Sequence, residues 1–214
     1  MGISERKERE KQRRNNDIID AAERVFFSKG INDTTMDDIA KEAELSKGTL
    51  YLYFKNKVDL IFAAKLRGYS ILKSMFEEVL ASKDTGLNKV LALGYTYYNF
   101  IKNYKNYYSI FVYCNSIDVT LREASNYKQE VQACNDILIS NLSKVVSEGI
   151  DDGSIGKDKE PEKTAIILSA MFLGTVENLL RMESSTTAAH FYDRFTTEEL
   201  IASTEKMIKD SLCS

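Results

Sequence analysis

The sequence is poor in residues that break helices and in residues that build catalytic or metal sites. It has one proline, ten glycines and no tryptophan in 214 residues. So few helix breakers favour an all-α fold. The only histidine, His190, lies in a predicted loop without any local signature of a catalytic nucleophile. A lone histidine cannot build a histidine-rich metal site either. We therefore expect no enzymatic activity, no metal and no cofactor.

The sequence also lacks the marks of export and of membrane insertion. Its three cysteines, Cys114, Cys134 and Cys213, are widely spaced and form no C-x-x-C pair. This usage suits a reducing compartment and argues against structural zinc. No run of eighteen apolar residues occurs, and the first fifteen residues are mostly charged and not apolar. Signal-peptide and transmembrane interpretations therefore both fail, and we expect a cytoplasmic protein without a membrane partner.

The overall charge of the chain argues against a nucleic-acid partner, but the distribution of the charges is compatible with one. The net charge is −3. Residues 1–60 carry twelve basic and twelve acidic side chains, so the rest of the chain carries the deficit. Residues 1–15 form a basic arm in which three glutamates face six basic side chains: Arg6, Lys7, Arg9, Lys11, Arg13 and Arg14. Such a run fits a solvated, disordered terminus or an arm that contacts DNA.

Two short helices are predicted within the segment TTMDDIAKEAELSKGTLYLYFKNKVDL, residues 34–60. Thr35 can cap the first helix, and Asp38 lies at the spacing of a capping box. Ser46 can cap the second helix, in which Leu50 and Phe54 face inward. The opposite side carries a cation, a bare backbone, an aromatic hydroxyl and a leucine: Lys47, Gly48, Tyr51 and Leu52. This pattern is typical of a helix-turn-helix whose second helix enters a DNA groove. The alternative is a packed helical core that does not bind DNA.

The same segment resembles the N-terminal module of the TetR family of bacterial transcriptional repressors. That module shows an alanine pair, an aromatic residue and a glycine, then threonine, a DIA-like core and S-K-G-T-L-Y-x-Y-F-x-x-K. The matching positions here are Ala21, Ala22, Phe26, Gly30, Thr34, Thr35, Asp38, Ile39, Ala40, Ser46 to Phe54 and Lys57. One departure is Glu44, where the family usually has a glycine in the turn. A left-handed conformation at a residue other than glycine costs about 1 kcal/mol.

The resemblance implies a sequence-specific DNA-binding site on the second helix. Positions that approach base edges in relatives correspond to Lys47, Gly48, Tyr51 and Leu52. Positions that hold phosphates correspond to Thr35, Ser46, Tyr53 and Lys57, and Thr49 completes the predicted DNA-binding set. The chemistry agrees, because Lys47 can donate to guanine and Gly48 lets the backbone come close. The helix that Asn56 opens offers free N–H groups to a phosphate.

Helical spacing continues through the rest of the chain. We predict a first helix from Asn16 to Lys29, a long helix opened by Asn56, and later helices that include Thr120 to Glu148. The domains are then the arm (1–15), a helix-turn-helix domain (16–60) and a larger helical domain for ligand binding and dimerisation (61–214).

Aromatic residues crowd the segment between Tyr95 and Tyr113. Tyrosines combine an apolar ring with a polar tip, which suits a cavity for a flat or amphipathic molecule, although most could simply fill the core. Relatives place an inducer pocket among the equivalent helices. The predicted pocket residues are Tyr95, Tyr98, Tyr108, Phe111, Phe172 and Glu177.

The small residues Ala170 and Gly174 lie four positions apart on an apolar helix and permit close approach of another helix. Relatives dimerise through their last two helices, so we predict a dimer interface here, with packing inside one chain as the alternative. The sequence thus predicts a homodimeric regulator that a small-molecule effector releases from a palindromic operator in double-stranded DNA. A helical protein-interaction module without DNA binding is the alternative function. Whether regulation is repression or activation does not follow from the sequence.

Overall fold

The computed structural model describes residues 2–184 and 194–213, and over these residues the protein is entirely α-helical. The described helices are α1 (Ile3–Lys29), α2 (Met36–Glu42), α3 (Lys47–Tyr53), α4 (Lys57–Leu80), α5 (Gly86–Asn103), α6 (Lys105–Ser116), α7 (Val119–Glu123), α8 (Lys128–Asp151), α9 (Pro161–Ser184) and α10 (Thr197–Cys213). The all-α prediction is confirmed. His190 lies outside the described residues, as does most of the predicted loop before α10.

The first helix begins much earlier than predicted, at Ile3 instead of near Asn16. The Gly2 backbone N–H donates to the Glu5 carboxylate at 3.0 Å, which anchors the first turn. Between these residues and Asn16 the chain is rich in Glu, Lys, Arg and Gln, which are good helix formers and give the helix no reason to stop. The end of α1 was predicted correctly, because Gly30 takes a positive φ of 88° and its N–H donates to the Phe26 carbonyl.

The predicted helix from Thr120 to Glu148 is wrong at one point, because residues 124–127 form a turn between α7 and α8. Ser125 and Asn126 lie in this turn and prefer to hydrogen-bond with nearby groups outside the helical backbone pattern. Their partner is on α4, far away in sequence, and is described below.

The chain divides into two compact units. Unit 1 comprises Met1–Ile71 and Tyr104–Cys134, and unit 2 comprises Leu72–Asn103 and Asn135–Ser214. The predicted domain boundaries at residues 15 and 60 stay a prediction. The core of unit 1 is formed by apolar side chains of α1 to α4 and α6, among them the fully buried Ile18, Ile39, Leu50, Phe54, Leu60, Ile61 and Ile110.

Unit 2 contains a very close crossing of α5 and α8. A Cβ atom added to Gly86 would lie 2.1 Å from the Gly149 backbone nitrogen, so the two helix backbones touch at this point. The turn after α8 caps α5, because the Gly86 N–H donates to Asp152 at 2.8 Å and the Leu87 N–H donates to Ser154 Oγ at 3.1 Å. None of the described helices is long and apolar enough to cross a lipid bilayer.

Candidate nucleic-acid interface

The first helix of the predicted helix-turn-helix is fixed by its N-terminal cap. The Thr35 hydroxyl accepts from the Asp38 N–H at 3.1 Å, and the Asp38 carboxylate accepts from the Thr35 N–H at 2.8 Å. Lys29 also donates to that carboxylate at 2.7 Å and ties α1 to α2. The Lys29 ammonium and the two Thr35 donors hold the pKa of Asp38 well below its usual value. The predicted capping box is therefore present.

The turn between α2 and α3 contains the one departure from the family pattern. Glu44 takes a φ of 54°, and it is the only described residue other than glycine with a positive φ. The turn is closed by backbone hydrogen bonds from the N–H of Glu44 to the Lys41 carbonyl (3.1 Å) and of Leu45 to the Ala40 carbonyl (2.9 Å). Glu44 is exposed, so its side chain gains no packing in return for the strained backbone.

The outward face of α3 is defined by side chains that the rest of the chain leaves uncovered. Tyr51 is 43% exposed and Leu52 is 84% exposed, whereas Leu50 and Phe54 are fully buried. Ser46 caps the start of the helix. Its hydroxyl accepts from the Thr49 N–H at 3.1 Å and also shares a hydrogen bond with the Thr49 hydroxyl. The inward and outward sides predicted for this helix are therefore the ones observed.

Gly48 lies on this face without any internal reason to be glycine. A Cβ atom at this position would meet nothing closer than the Ser46 hydroxyl, at 3.9 Å. Its φ is not positive, and glycine inside a helix costs about 0.5–1 kcal/mol relative to alanine. The described residues therefore give no structural reason for glycine at position 48.

Lys47 is held by a neighbouring acid in this structure. Its ammonium lies 2.7 Å from Asp37, and both side chains are exposed. The hydrogen bond with Asp37 raises the pKa of Lys47, so the side chain is charged at neutral pH. A base edge or phosphate would have to compete with Asp37 for this ammonium.

Lys57 has a different environment from the one predicted. Its ammonium donates to the backbone carbonyls of Ile31 (2.9 Å), Asn32 (3.3 Å) and Thr34 (2.9 Å), in the loop between α1 and α2. Burial lowers the pKa of Lys57. An ammonium has three donors, and all three are occupied here. Lys57 therefore holds the loop that leads into α2, and its contact with a phosphate stays a prediction.

The turn at residues 124–127 packs against the end of the helix-turn-helix, which the sequence did not reveal. The buried Asp59 carboxylate accepts from the Ser125 hydroxyl at 2.7 Å, the Asn126 N–H at 3.2 Å and the Asn126 side-chain amide at 3.4 Å. Tyr127 stacks on Phe54, with ring centroids 6.0 Å apart. We call these contacts the Asp59 clasp. Asn56 caps α4 as predicted, because its side chain accepts from the Asp59 N–H at 3.0 Å.

The predicted pocket residues are divided between the two units. In unit 1, Tyr108 and Phe111 are buried on α6, and Phe111 lies 4.7 Å from the Tyr69 ring. In unit 2, the rings of Tyr95 and Tyr98 are 6.2 Å apart on α5. Phe172 of α9 packs directly on α5, where a Cβ atom at Gly94 would lie 2.2 Å from the ring, and Glu177 is half-buried on the same helix. Their common role as pocket walls stays a prediction.

The predicted association helix has an exposed apolar side. Ala170 is exposed on α9, and a Cβ atom added to Gly174 would meet nothing within 4 Å. Three large apolar side chains on the same helix are also exposed: Ile166 (58%), Ile167 (52%) and Leu173 (43%). Both the dimer interface and the alternative of packing inside one chain stay predictions.

Comparison with known proteins identifies the class of this module. Residues 18–64 match the model of the tetR family of bacterial regulatory proteins. These residues include all of α2 and α3, together with the caps and the outward face described above. Residues 18–64 therefore form a helix-turn-helix module of the TetR type.

Similarity to individual relatives extends beyond this module. The fatty acid metabolism regulator protein of Bacillus subtilis is 27% identical over 163 residues, which cover 75% of this chain and 78% of the relative. The HTH-type transcriptional regulator YhgD of the same organism is 26% identical over 162 residues, covering 74% and 80% of the two chains. TtgR, an HTH-type transcriptional regulator of Pseudomonas putida, is 46% identical over 46 residues, which cover 22% of each chain.

Solved structures show the same fold at low sequence identity. The fatty acid degradation regulator FadR of Bacillus halodurans superimposes with a TM-score of 0.66 at 16% identity, covering 92% of this chain and 94% of that one. AibR, solved in complex with isovaleryl coenzyme A and operator DNA, superimposes with a TM-score of 0.62 at 19% identity, covering 91% and 97%.

Proposed function

We propose that this protein is a dimeric repressor that binds a palindromic operator and is released from it by a small amphipathic or aromatic molecule. The observation that carries the DNA-binding part is the outward face of α3. It combines a cation, an exposed aromatic hydroxyl and a glycine that no neighbour in the chain requires. Since operator DNA lies in the bacterial cytoplasm, we propose that the protein acts there, without catalysing a reaction.

On DNA, α3 would lie in the major groove with Lys47, Gly48, Tyr51 and Leu52 toward the base edges. Lys47 would exchange its ion pair with Asp37 for a guanine, and Leu52 would contact a thymine methyl group. Thr35, Ser46, Thr49 and Tyr53 would lie near the phosphates, as would Lys57 if it released one of its carbonyl partners. The first turns of α1 carry the basic residues 6–14 on an exposed helix, so any contact from this segment would come from a helical extension.

The apolar side of α9 supports dimerisation through a second copy of the chain. Ala170 and Gly174 would allow close approach, and the exposed isoleucines and Leu173 would be buried. In a dimer that reads two half-sites, the two α3 helices lie about 34–36 Å apart, one turn of DNA, or somewhat farther for a longer site.

An effector is supported by the ligand of one structural neighbour and by the names of two similar proteins, and the Asp59 clasp offers a route by which it could act. A structural neighbour was solved with isovaleryl coenzyme A, and two similar proteins are named as regulators of fatty acid metabolism or degradation. A ligand shifts this protein only by binding the DNA-competent and incompetent states with different affinity. The clasp ties the start of α4 to the turn after α7, so displacement of that turn would move the end of α3.

The test is a gel shift with DNA selected by the protein, using wild type and the double variant Lys47→Ala/Tyr51→Ala. We expect the variant to keep its helical circular dichroism and to lose the shift. Equal binding by both proteins would defeat the proposed role of α3. Absence of any sequence-dependent binding by the wild type would favour the helical interaction module instead.

A further inference from the structure

Lys65 is a buried lysine on α4 in unit 1 that the sequence analysis did not single out. It is 7% exposed and lies on the same helical side as the buried Ile61, Tyr69 and Leu72. Its ammonium is 5.4 Å from the centre of the Tyr69 ring and 5.7 Å from that of Phe111. Burying a lysine on an apolar helix side costs free energy unless the ammonium is paired.

The close approach of α6 to α4 creates this environment. At Gly68 a Cβ atom would lie 2.8 Å from Phe111 Cε1 and 3.2 Å from Tyr107 Cδ1, so the α6 rings rest on the α4 backbone. Phe111 is thereby held beside Lys65. Two aromatic faces stabilise a cation electrostatically, but they accept no hydrogen bond as a carboxylate would.

No negative charge compensates Lys65 among the described residues. It has no ion pair there, and the side chains that act on it electrostatically are the cation Arg122 and the thiols of Cys114 and Cys134. Arg122 donates to the backbone carbonyls of Ile117 (2.8 Å) and Asn115 (2.7 Å), and its charge also acts on the Asp118 carboxylate. The Cys114 thiol cannot serve as a counter-ion, because burial raises its pKa to about 11. Burial and Arg122 both disfavour the charged form, and burial, the larger cause, lowers the pKa of Lys65.

The ammonium also keeps some contact with solvent. Within the described part of the chain, every side-chain nitrogen or oxygen that is sealed from solvent has a hydrogen-bond partner. Lys65 Nζ has aromatic rings but no hydrogen-bond acceptor around it among those residues. It is therefore not sealed, and its three donors are available to an incoming acceptor.

We infer that Lys65 is the anchor for an oxyanion head group, a carboxylate or a phosphate, on an effector with an apolar body. The inference rests on the proposed function, which requires an effector. It deepens that function because it gives the effector a negative charge and a contact residue. The head group would accept hydrogen bonds from Nζ and compensate the charge of Lys65, while the apolar body would pack on Tyr69 and Phe111. A charge-assisted hydrogen bond in such an environment is stronger than one between neutral groups.

Lys89 is a matched control for this inference. It is equally buried, at 8% exposed, but its ammonium lies 2.9 Å from Glu148. Lys89 belongs to unit 2 and already has its counter-ion, so Lys89→Met should leave ligand binding unchanged. Lys65→Met removes the charge and keeps a flexible apolar side chain of similar length.

The experiment measures binding of dodecanoate, dodecyl phosphate and 1-dodecanol to wild type, Lys65→Met and Lys89→Met by isothermal titration calorimetry. We expect at least one of the two anions to bind wild type and Lys89→Met at least tenfold more tightly than the alcohol. Lys65→Met should lose that preference and still bind the alcohol as wild type does. The anion that is preferred identifies the head group.

Three results would overturn the inference: equal binding of anions and alcohol by wild type, an undiminished preference in Lys65→Met, or no binding of either anion. Operator affinity without ligand, measured by fluorescence anisotropy on the same proteins, separates this failure from failure of the proposed function. If Lys65→Met proved unstable, Lys65→Gln would replace it, with the same expected loss of preference. A wild type that binds operator but prefers no anion would refute only the anchor.

Discussion

The outward faces of α3 and α9 each carry a glycine that the chain itself does not require. A Cβ atom at Gly174 would meet nothing within 4 Å, and one at Gly48 would meet only the Ser46 hydroxyl at 3.9 Å. At Gly86 and Gly94, by contrast, glycine is a packing necessity, since a Cβ atom would lie 2.1 or 2.2 Å from its nearest neighbour. Both open glycines cost helix stability, so both faces are best explained by a partner that comes close.

The surroundings of the two glycines indicate different partners. Beside Gly48 lie a charged lysine and a tyrosine hydroxyl, which suit the phosphates and base edges of DNA. Beside Gly174 lie exposed isoleucines and a leucine, which suit the same apolar surface of a second copy. In the proposed function, each open helical glycine permits close approach of a partner, and its neighbours define the chemistry of that partner.

The largest expected effect comes from breaking the α9 face. Leu173→Asp places a charge among the exposed apolar residues and should convert the dimer to a monomer without unfolding the chain, since Leu173 is 43% exposed. Operator affinity should fall about a hundredfold or more, because two linked α3 helices bind cooperatively and one alone does not. Analytical ultracentrifugation and fluorescence anisotropy measure the two effects.

Leu121→Asp is the control, because Leu121 is 52% exposed on α7 in unit 1. It should leave both the dimer and operator binding intact. A Leu173→Asp protein that stays dimeric and binds operator normally would show that α9 is not the interface.

The next largest effect is expected at Gly48, where a substitution should raise the stability of the fold but lower the affinity for operator DNA. Gly48→Ala should stabilise the fold by about 0.5–1 kcal/mol, because the added methyl group meets no neighbour and alanine favours the helix. It should also weaken operator binding about tenfold or more, because the methyl group would stand between α3 and the bases. Thermal denaturation and anisotropy report the two quantities.

Gly174→Ala is the matched control for Gly48. It should stabilise the fold by a similar amount. It should weaken the dimer but leave the contact between each α3 helix and its half-site unchanged. If Gly48→Ala left operator affinity unchanged, the bare backbone of α3 would have no part in binding.

A smaller effect, on the free energy of unfolding, is expected at Glu44 in the strained turn before α3. Glu44→Gly should raise the free energy of unfolding by about 1 kcal/mol, because the φ of 54° suits glycine better than any residue with a Cβ atom. Glu44→Ala removes the same charge but keeps the strain, so it should not give this gain. Chemical denaturation distinguishes them, and equal stability of the two variants would show that backbone strain at Glu44 is not the cause.

The smallest effect concerns the ion pair of Lys47. Asp37→Asn frees the ammonium, which now lies 2.7 Å from the acid, and removes a negative charge beside α3. Because exposed ion pairs are weak, we expect operator affinity to rise only about two- to fivefold. Asp17→Asn makes the same charge change on α1, where the acid is exposed, and should have less effect. Equal gains in both variants would mean that only net charge matters.

The helix-turn-helix could be predicted closely from the sequence because its determinants are local. Thr35, Asp38 and Ser46 act within three residues of themselves, and the inward Leu50 and Phe54 follow helical spacing. The left-handed backbone at Glu44 follows from the family resemblance, in which this position of the turn is usually glycine.

Features that depend on partners distant in sequence could not be predicted in this way. The break between α7 and α8 depends on hydrogen bonds to Asp59, some 66 residues earlier. The contacts of Lys57 depend on carbonyls at least 23 residues away. Lys65, by contrast, is visible in the sequence as a charged residue at helical spacing among apolar ones, since it lies four residues after Ile61 and four before Tyr69 on the buried side of α4. A charge at such a position indicates a buried ion or a binding site.

Selection of bound duplexes from random DNA by the wild-type protein tests the central claim most directly, which is that two copies present their α3 faces to one operator. We predict enrichment of an inverted repeat whose half-site centres lie about 10 base pairs apart, or a little more, with Leu173→Asp failing to enrich the pair. No enrichment, or a single motif without internal two-fold symmetry that Leu173→Asp selects equally well, would contradict the account.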